Sequence, residues 1–195
     1  MTIAPLSPSG FLDKIDQFVA IYGAAMSADR DELPSRRAIM DRHAVNPSFR
    51  ALAATATTAG RIVAFSYAFR GLPGQWWHDV VYAGISAEGG LAAARDWLDD
   101  VVEIAEVHVH PDFQARGIGR RMVLALAADR AERTAVLSTR DAPTPARKLY
   151  RSLGFSDLLT DFVFPGGGPP YAVMGAVLPL AGHQTEVSGA GGTGG

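Results

Sequence analysis

The segment from Val101 to Arg133 constrains the fold more than any other part of the chain. Its first ten residues, VVEIAEVHVH, predict a strand, and its last part predicts a helix. Between them, PDFQARGIGRRM places Gly117 and Gly119 one residue apart. Glycine lets the main chain turn tightly and approach a ligand closely, and the start of a helix attracts anions through its unpaired N–H groups. The sequence therefore predicts an anion-binding turn between a strand and a helix.

Strand and helix patterns alternate along the rest of the chain. Helical patterns predict helices over residues 11–26, 34–44, 88–98 and 145–153. Strand patterns bounded by turn residues predict strands over residues 49–57, 61–69, 136–139, 158–164 and 171–177. Because hairpins stand at both ends of this order, we predict an α/β (α+β) fold in which helices cover a mixed sheet.

The length and composition bound the domain organisation. The chain has 195 residues, of which 48% are hydrophobic, and this is enough for one domain with a core. We predict a flexible N-terminus over residues 1–10, a single domain over residues 11–181 and a disordered glycine-rich tail over residues 182–195.

Charge and cysteine content exclude several classes of protein. The net charge of −2 argues against a nucleic-acid-binding protein that relies on bulk positive charge. The absence of cysteine excludes disulfides, thiolate metal sites and a cysteine nucleophile, and we predict no metal. The sequence has no signal-peptide pattern and no apolar run of the roughly 18 residues that a membrane span needs. We therefore expect a soluble, cytoplasmic protein that binds neither nucleic acid nor membranes.

Three kinds of glycine-rich loop compete for the segment around Gly117. A P-loop would need a lysine after its last glycine, and none follows here. A dinucleotide-binding loop would need a third glycine where the chain has Met122, which disfavours a dinucleotide-dependent oxidoreductase. The pattern Q/R-x-x-G-x-G/A fits at every position, from Gln114 to Gly119.

Two further segments accompany this loop. The strand before it carries Val107, Val109 and Pro111 in a V-x-V-x-P pattern, and the segment ARKLYRSLGF follows about thirty residues after the glycines. With these motifs the sequence resembles the GNAT superfamily of acyl-CoA-dependent N-acyltransferases, loosely over residues 11–178 and specifically over residues 103–155. The resemblance implies a mostly antiparallel central sheet of about six or seven strands flanked by helices.

The resemblance implies that the anion is coenzyme A, bound as acetyl-CoA. Main-chain N–H groups of the glycine turn would hold the pyrophosphate with help from the helix dipole, and the unpaired edge of the strand would bind the pantetheine amides. The alternatives are a plain tight turn for the glycines and a solvated helix face for the arginines. The residues assigned to the cofactor are His108, Val109, His110, Gln114, Ala115, Arg116, Gly117, Ile118, Gly119, Arg120, Arg121 and Tyr150.

Acyl transfer to an amine needs a base and an acid. An amine with a pKa of about 10.4 must lose a proton, and the leaving thiolate, with a pKa near 8.5, must gain one. By resemblance Tyr150 is the acid, and the alternative is a core tyrosine. By resemblance Glu103, fourteen positions before Gly117, is the candidate base, with Glu106 as its rival, and the alternative for either is a solvated carboxylate at the end of the strand. An ideal strand would point these two carboxylates to opposite faces unless a bulge intervenes.

One position departs from the family pattern, and the acceptor stays open. Pro143 stands where members often carry an asparagine, and Thr139, Arg140 or Thr144 are possible substitutes. The acceptor is predicted to be a primary amine on a small molecule or a protein, and a homodimer is possible by resemblance. The alternative function is a non-catalytic acyl-CoA-binding sensor or partner module. The candidate acceptor residues are Trp76, Trp77, Phe164, Tyr171, Asp79, Glu88, Asp29, Asp31 and Glu32.

Overall fold

A computed structural model describes residues 1–57 and 60–182. Its centre is a sheet of seven strands in the order β1-β2-β3-β4-β5-β7-β6, in which only β4 and β5 pair in parallel. This sheet confirms the predicted fold class. The strands are β1 (Thr2–Leu6), β2 (Arg50–Thr55), β3 (Ile62–Gly71), β4 (Val101–Val109), β5 (Thr134–Arg140), β6 (Ser156–Phe162) and β7 (Tyr171–Val177).

The first ten residues differ from the prediction of a flexible segment. Residues Thr2–Leu6 form β1 and pair with β2 at the edge of the sheet, where Ile3 and Leu6 are half-buried. An edge strand tolerates Pro5 because half of its N–H groups face away from the neighbouring strand. The predicted tail of residues 182–195 lies outside the described residues except for its first residue.

Six α-helices are present in the part of the chain that the structure describes. The helix predicted over residues 11–26 is divided into two, and the helix predicted over residues 88–98 begins twelve residues earlier and bends at Gly90, which has a φ of 83°. The helix after the glycine turn ends at Ala127, before the predicted Arg133. The helices are α1 (Pro8–Leu12), α2 (Ile15–Met26), α3 (Leu33–His43), α4 (Trp76–Leu98), α5 (Ile118–Ala127) and α6 (Pro145–Ser152).

The helices cover the two faces of the sheet in different ways. On one face, α5 and α6 pack on β2 to β5 and β7 through a single apolar core that includes Met122, Leu126 and Leu153. On the other face, α1 to α3 pack on β2 and β3, and α4 packs on β5 to β7, in two separate clusters. The beginning of β4 lies between these two clusters, and this arrangement positions the polar side chains described next.

Candidate active site

Strands β4 and β5 separate from each other after a short paired stretch. Their ladder runs only from Val101 opposite Thr134 to Glu103 opposite Val136, although β5 continues to Arg140. Beyond Glu103, β4 stays paired with β3 alone. One edge of β4 therefore lacks a strand partner beyond Glu103, as the resemblance implied for the strand that binds pantetheine.

The hydrogen-bond pattern decides which main-chain groups lie on this open edge. The N–H of His110 donates to the carbonyl of Val63 at 2.8 Å, so His110 faces β3. Antiparallel pairs alternate between bonded and non-bonded positions, so His108 also faces β3, while Val107 and Val109 face the open edge. Of the predicted residues His108, Val109 and His110, only Val109 therefore presents its main-chain groups on the open edge, next to those of Val107.

The glycine turn lies directly after this edge. Gly117 has a φ of 72° and Ala115 a φ of 58°, and the first α5 hydrogen bond runs from the N–H of Arg121 to the carbonyl of Gly117. The N–H groups of Ile118 and Gly119 precede that bond and are thus free of intrahelical partners. A side chain built on Gly117 would meet no atom within 4 Å, so this turn faces open space.

Side chains around the turn have contacts of their own. The Nε2 of Gln114 donates to the carbonyl of Val109 at 3.0 Å and ties the turn to the strand. Arg116 donates to the carbonyl of Asp112 at 2.9 Å, and Arg120 donates to the hydroxyl of Ser152 at 3.1 Å. Arg121 extends instead toward the first residue of the chain, and its Nη2 lies 3.7 Å from the sulfur of Met1. All three arginines lie at one end of α5, where they add positive charge near the free N–H groups.

A bulge in β4 brings the two candidate carboxylates to one face. Glu103 is opposite Phe69 and Glu106 is opposite Tyr67, while Ala105 between them has no partner on β3. Since Tyr67 and Phe69 are two residues apart and share a face, Glu103 and Glu106 also share it. Both carboxylates are buried, on the face covered by α1 to α4.

Both carboxylate oxygens of Glu106 are hydrogen-bonded. Nη1 of Arg36, on α3, donates to Oε1 at 2.8 Å, and Nε2 of His108 bonds to Oε2. The second guanidinium nitrogen of Arg36 donates to the hydroxyl of Tyr22, on α2, at 3.0 Å. Burial disfavours the charged form of Glu106, but His108 and Arg36 outweigh it and lower the pKa of this carboxyl.

The surroundings of Glu103 raise its pKa, in contrast to those of Glu106. Its Oε2 is buried without a hydrogen-bond partner among the described residues. Burial, and then the negative charge of Glu106, raise its pKa from 4.5 to about 8. Glu103 is thus mostly protonated at neutral pH and becomes a carboxylate in mildly alkaline solution.

Tyr150 lies on α6 with a ring that is almost wholly buried. The helix begins as predicted, because the hydroxyl of Thr144 accepts from the N–H of Arg147 at 3.2 Å and Pro145 occupies the first turn. Thr144 is therefore engaged as a cap. Burial, and then the negative charge of Glu106, raise the pKa of Tyr150 to about 12, so its phenol stays protonated at neutral pH. The apolar ring packs 5.8 Å from the ring of Phe155.

Three of the predicted acceptor-side aromatics form a connected row. The ring of Phe164 lies 5.8 Å from Trp76 and 5.5 Å from Tyr171. The indole N–H of Trp77 donates to the hydroxyl of Ser138 at 3.3 Å, on the part of β5 that has separated from β4. Asp79 is used locally, since it accepts from the N–H of Gly74. The row of Trp76, Phe164 and Tyr171 therefore extends the β5 side of the opening between β4 and β5.

The residues on the opposite side of the opening between β4 and β5 were not predicted from the sequence. Arg36 and Tyr22 lie on helices and were not singled out, because only the packing of α2 and α3 on β3 and β4 brings them to Glu106. A cavity of about 240 Å³ lies nearby, between α2 and the ends of β3 and β4, and His110 lines it. Among the described residues, no cluster of candidate metal ligands and no helix fit to cross a membrane is found.

The comparisons with known proteins agree with this geometry. A family model described as an acetyltransferase (GNAT) domain matches residues 75–157. A GCN5-like protein acetyltransferase of Mycobacterium tuberculosis is 29% identical over 200 residues, which cover 90% of this chain and 97% of that protein.

Two solved structures share the fold. The ribosomal-protein-S18-alanine N-acetyltransferase of Escherichia coli has a TM-score of 0.59 at 19% identity, covering 94% of this chain and 97% of that one. The paia N-acetyltransferase of Thermoplasma acidophilum, in complex with coenzyme A, has a TM-score of 0.58 at 11% identity, covering 91% of this chain and 99% of that one. Residues 75–157 match the GNAT acetyltransferase domain, and the predicted resemblance to this superfamily is confirmed.

Proposed function

We propose that this protein is an N-acetyltransferase that moves an acetyl group from acetyl-CoA to a primary amine while both are bound. The observation that carries the proposal is the separation of β4 from β5 directly beside a buried carboxyl that has no fixed partner, Glu103. A thioester held along the open edge would lie close to a base on the strand itself. The match of residues 75–157 to the GNAT acetyltransferase domain and the similarity to a protein acetyltransferase support this proposal.

The residues at the end of β4 fit coenzyme A. Free N–H groups at the start of α5, open space at Gly117 and three nearby arginines suit a diphosphate. The open edge at Val107 and Val109 offers hydrogen-bonding groups to two amides in a row, as pantetheine requires. When bound, the cofactor supplies an acetyl group activated as a thioester. A relative in the superfamily has been solved with coenzyme A.

Glu103 is the base in this proposal. Its carboxyl is buried and becomes a carboxylate at about pH 8, close to the pH at which a general base is effective. Glu106 is poorly suited to the role because both of its oxygens are bonded and its proton affinity is lowered. The acceptor nitrogen would transfer its proton to Glu103, directly or through a water molecule.

Val107 and Tyr150 complete the reaction. Once its ammonium proton has gone to Glu103, the acceptor nitrogen would attack the carbonyl carbon of the thioester. The C–N bond would form, a second proton would leave the nitrogen to water, and the C–S bond would break. The main-chain N–H of Val107, on the open edge, stabilises the negative charge that develops on the carbonyl oxygen. The phenolic proton of Tyr150 goes to the leaving sulfur, and exchange with water afterwards restores Tyr150 and Glu103.

A protein amine is the favoured acceptor. The relative from Mycobacterium tuberculosis is described as a protein acetyltransferase and aligns over nearly the whole chain. The exposed ring of Trp76 and the row formed with Phe164 and Tyr171 provide an apolar rim on which a peptide flanking the reactive amine can lie. A cytoplasmic location and a homodimer remain predictions from the sequence.

The direct test is a thiol-release assay with acetyl-CoA and two sets of acceptors. One set contains lysine-bearing peptides and free protein N-termini, and the other contains small amines such as polyamines and aminoglycosides. We expect saturable release of free thiol with acetylated product detected by mass spectrometry, and a lower KM for the peptides. Binding of acetyl-CoA without turnover on any acceptor would favour the non-catalytic module instead. Absence of binding would overturn the proposal.

A further inference from the structure

The surroundings of Glu106 form a chain of contacts that reaches from α2 to β4. Tyr22 receives a hydrogen bond from Arg36, the Arg36 guanidinium lies 4.5 Å above the Tyr22 ring, and Arg36 in turn binds Glu106. His108 bonds to the other oxygen of Glu106 and packs 5.1 Å from the same Tyr22 ring. Arg36 and His108 are thus both bound to the buried carboxylate of Glu106, whereas the neighbouring Glu103 is bound to neither of them.

We propose that Arg36 is a positioning residue that acts through Glu106, holding it as a fixed carboxylate so that Glu103 is the carboxyl that carries and releases the proton. Two neighbouring carboxyls in a buried site oppose each other's ionisation, and their protons are lost in two coupled steps. A cation bound to only one of the pair decides which carboxyl is charged first. Arg36 makes that choice in favour of Glu106.

The groups that act on Glu106 come from every element packed around it. Arg36 and His108 bind it directly, and His43 lies two turns further along α3. Arg36 differs from His43 because a guanidinium stays charged across the range in which carboxyls titrate, whereas burial lowers the pKa of His43 to about 4. The titratable groups that Glu106 influences in return are Glu103, Tyr22, Tyr67 and Tyr150.

The geometry of Arg36 favours this role over a purely structural one. Its side chain is 31% exposed, whereas that of Glu106 is 7% exposed, so the guanidinium closes a buried anion from the solvent side. Within residues 1–57 and 60–182, the guanidinium has hydrogen bonds to Glu106 and Tyr22 and none to Glu103. The effect on catalysis rests on the proposed function, but the protonation of Glu106 does not and is tested separately.

The first test follows Glu106 itself by NMR of the side-chain carboxyl carbon. The chain contains only six glutamates, so labelling glutamate with ¹³C and comparing single Glu→Gln variants assigns each signal. In the Glu103→Gln background, which removes coupling to the neighbour, we expect Glu106 to titrate below its ordinary value of 4.5. Adding Arg36→Met is expected to raise the midpoint by at least one pH unit, and adding Arg36→Lys by less. Equal midpoints with and without Arg36 would overturn the proposal.

The second test asks whether Arg36 acts through Glu106 during turnover. Kinetic pH profiles are measured for the wild type, Arg36→Met, Glu106→Gln and the double variant. Glu106→Gln is expected to shift the low-pH midpoint of kcat/KM downward, because Glu103 then ionises beside a neutral neighbour. Arg36→Met is expected to shift it upward, because the guanidinium no longer offsets the negative charge of Glu106. The double variant is expected to match Glu106→Gln alone. Additive shifts would show that Arg36 acts on Glu103 independently and would contradict the proposal.

Two controls keep these outcomes interpretable. Circular dichroism and thermal denaturation establish that each variant is folded, and Arg36→Gln replaces Arg36→Met if the latter does not fold. Arg37→Met, one residue further along α3, removes a cation that pairs only with the surface carboxylates of Asp16 and Asp41. It is expected to leave the Glu106 midpoint unchanged. If the protein proves not to be an acetyltransferase, the NMR result still decides whether Arg36 holds Glu106 ionised.

Discussion

Glu103 and Glu106 lie three residues apart on one strand and share a face, yet their surroundings drive them in opposite directions. Both are buried, so burial alone would raise the pKa of each. Glu106 is bound by Arg36 and His108, and its pKa falls. Glu103 has no such partner and feels the charge of Glu106, and its pKa rises to about 8. The position of the cations therefore determines the different roles of the two carboxyls more than burial does.

The largest expected effect separates the two carboxyls by activity. Replacing Glu103 by Gln removes the proposed base while keeping its shape, so kcat is expected to fall by about 10²–10⁴-fold. Replacing Glu106 by Gln leaves the base in place and is expected to cost about tenfold or less at its optimum pH. Steady-state kinetics at several pH values measure both. An exposed control, Asp13→Asn, is expected to have no effect. Equal losses for the two Gln variants would contradict the division of tasks.

The next effect concerns the acid. Tyr150→Phe removes the proposed proton donor and is expected to lower kcat by about 10²-fold while acetyl-CoA affinity, measured by calorimetry, is kept. The low-pH midpoint of kcat/KM is expected to stay where it is in the wild type, because Glu103 keeps its charged neighbour. Tyr82→Phe, on α4, is the matched control. A moved midpoint would mean that Tyr150 takes part in the titration assigned to Glu103.

A smaller effect appears on the pH axis. Glu106→Gln removes the negative charge beside Glu103 and is expected to move the low-pH midpoint of kcat/KM from about 8 downward by about one pH unit. Burial, the larger cause, remains, so the midpoint should stay above the ordinary value of 4.5. An unchanged midpoint would show that the two carboxyls do not sense each other.

The smallest effects concern stability, and they have opposite signs. Folding raises the pKa of Glu103. Its contribution to stability is therefore fully present below the pKa of the unfolded chain and is lost as the pH rises through about 8. Glu103→Gln should therefore gain stability relative to the wild type as the pH rises from 4.5 to about 8.

Glu106 has a lowered pKa, so its contribution is present above its unfolded value and is lost in acid. Glu106→Gln should therefore be less stable than the wild type at neutral pH, and this difference should shrink below about pH 4.5. Urea denaturation across the pH range measures both variants. If the free energies of unfolding of the two variants depended on pH in the same way, the proposed difference between Glu103 and Glu106 would be contradicted.

The sequence predicted the central unit of the fold well because its signals are local. The strand, the glycine turn and the helix that Thr144 caps were all expected, since turn glycines and helix caps act over a few residues. Whether Glu103 and Glu106 share a face was left open, because it depends on a bulge at Ala105 that no residue type announces.

The errors arose where tertiary packing overrides local signals. Prolines in the first ten residues favoured a loose segment, yet an edge strand accepts them. The segment before residue 88 was hard to assign, so the helix was predicted only from residue 88, yet Val81 and Ile85 bury against the sheet and sustain it from Trp76. Arg36 came from a helix without any motif, so its meeting with Glu106 was not predictable.

The pH dependence of kcat/KM, measured in parallel for the wild type and Glu103→Gln, tests the division between Glu103 and Glu106 most directly. The account predicts that wild-type kcat/KM rises tenfold per pH unit below a midpoint of about 8 and then levels off. It also predicts that the residual activity of Glu103→Gln lacks this rise. A wild-type profile that is flat between pH 6 and 9, or a rise that persists in Glu103→Gln, would contradict it.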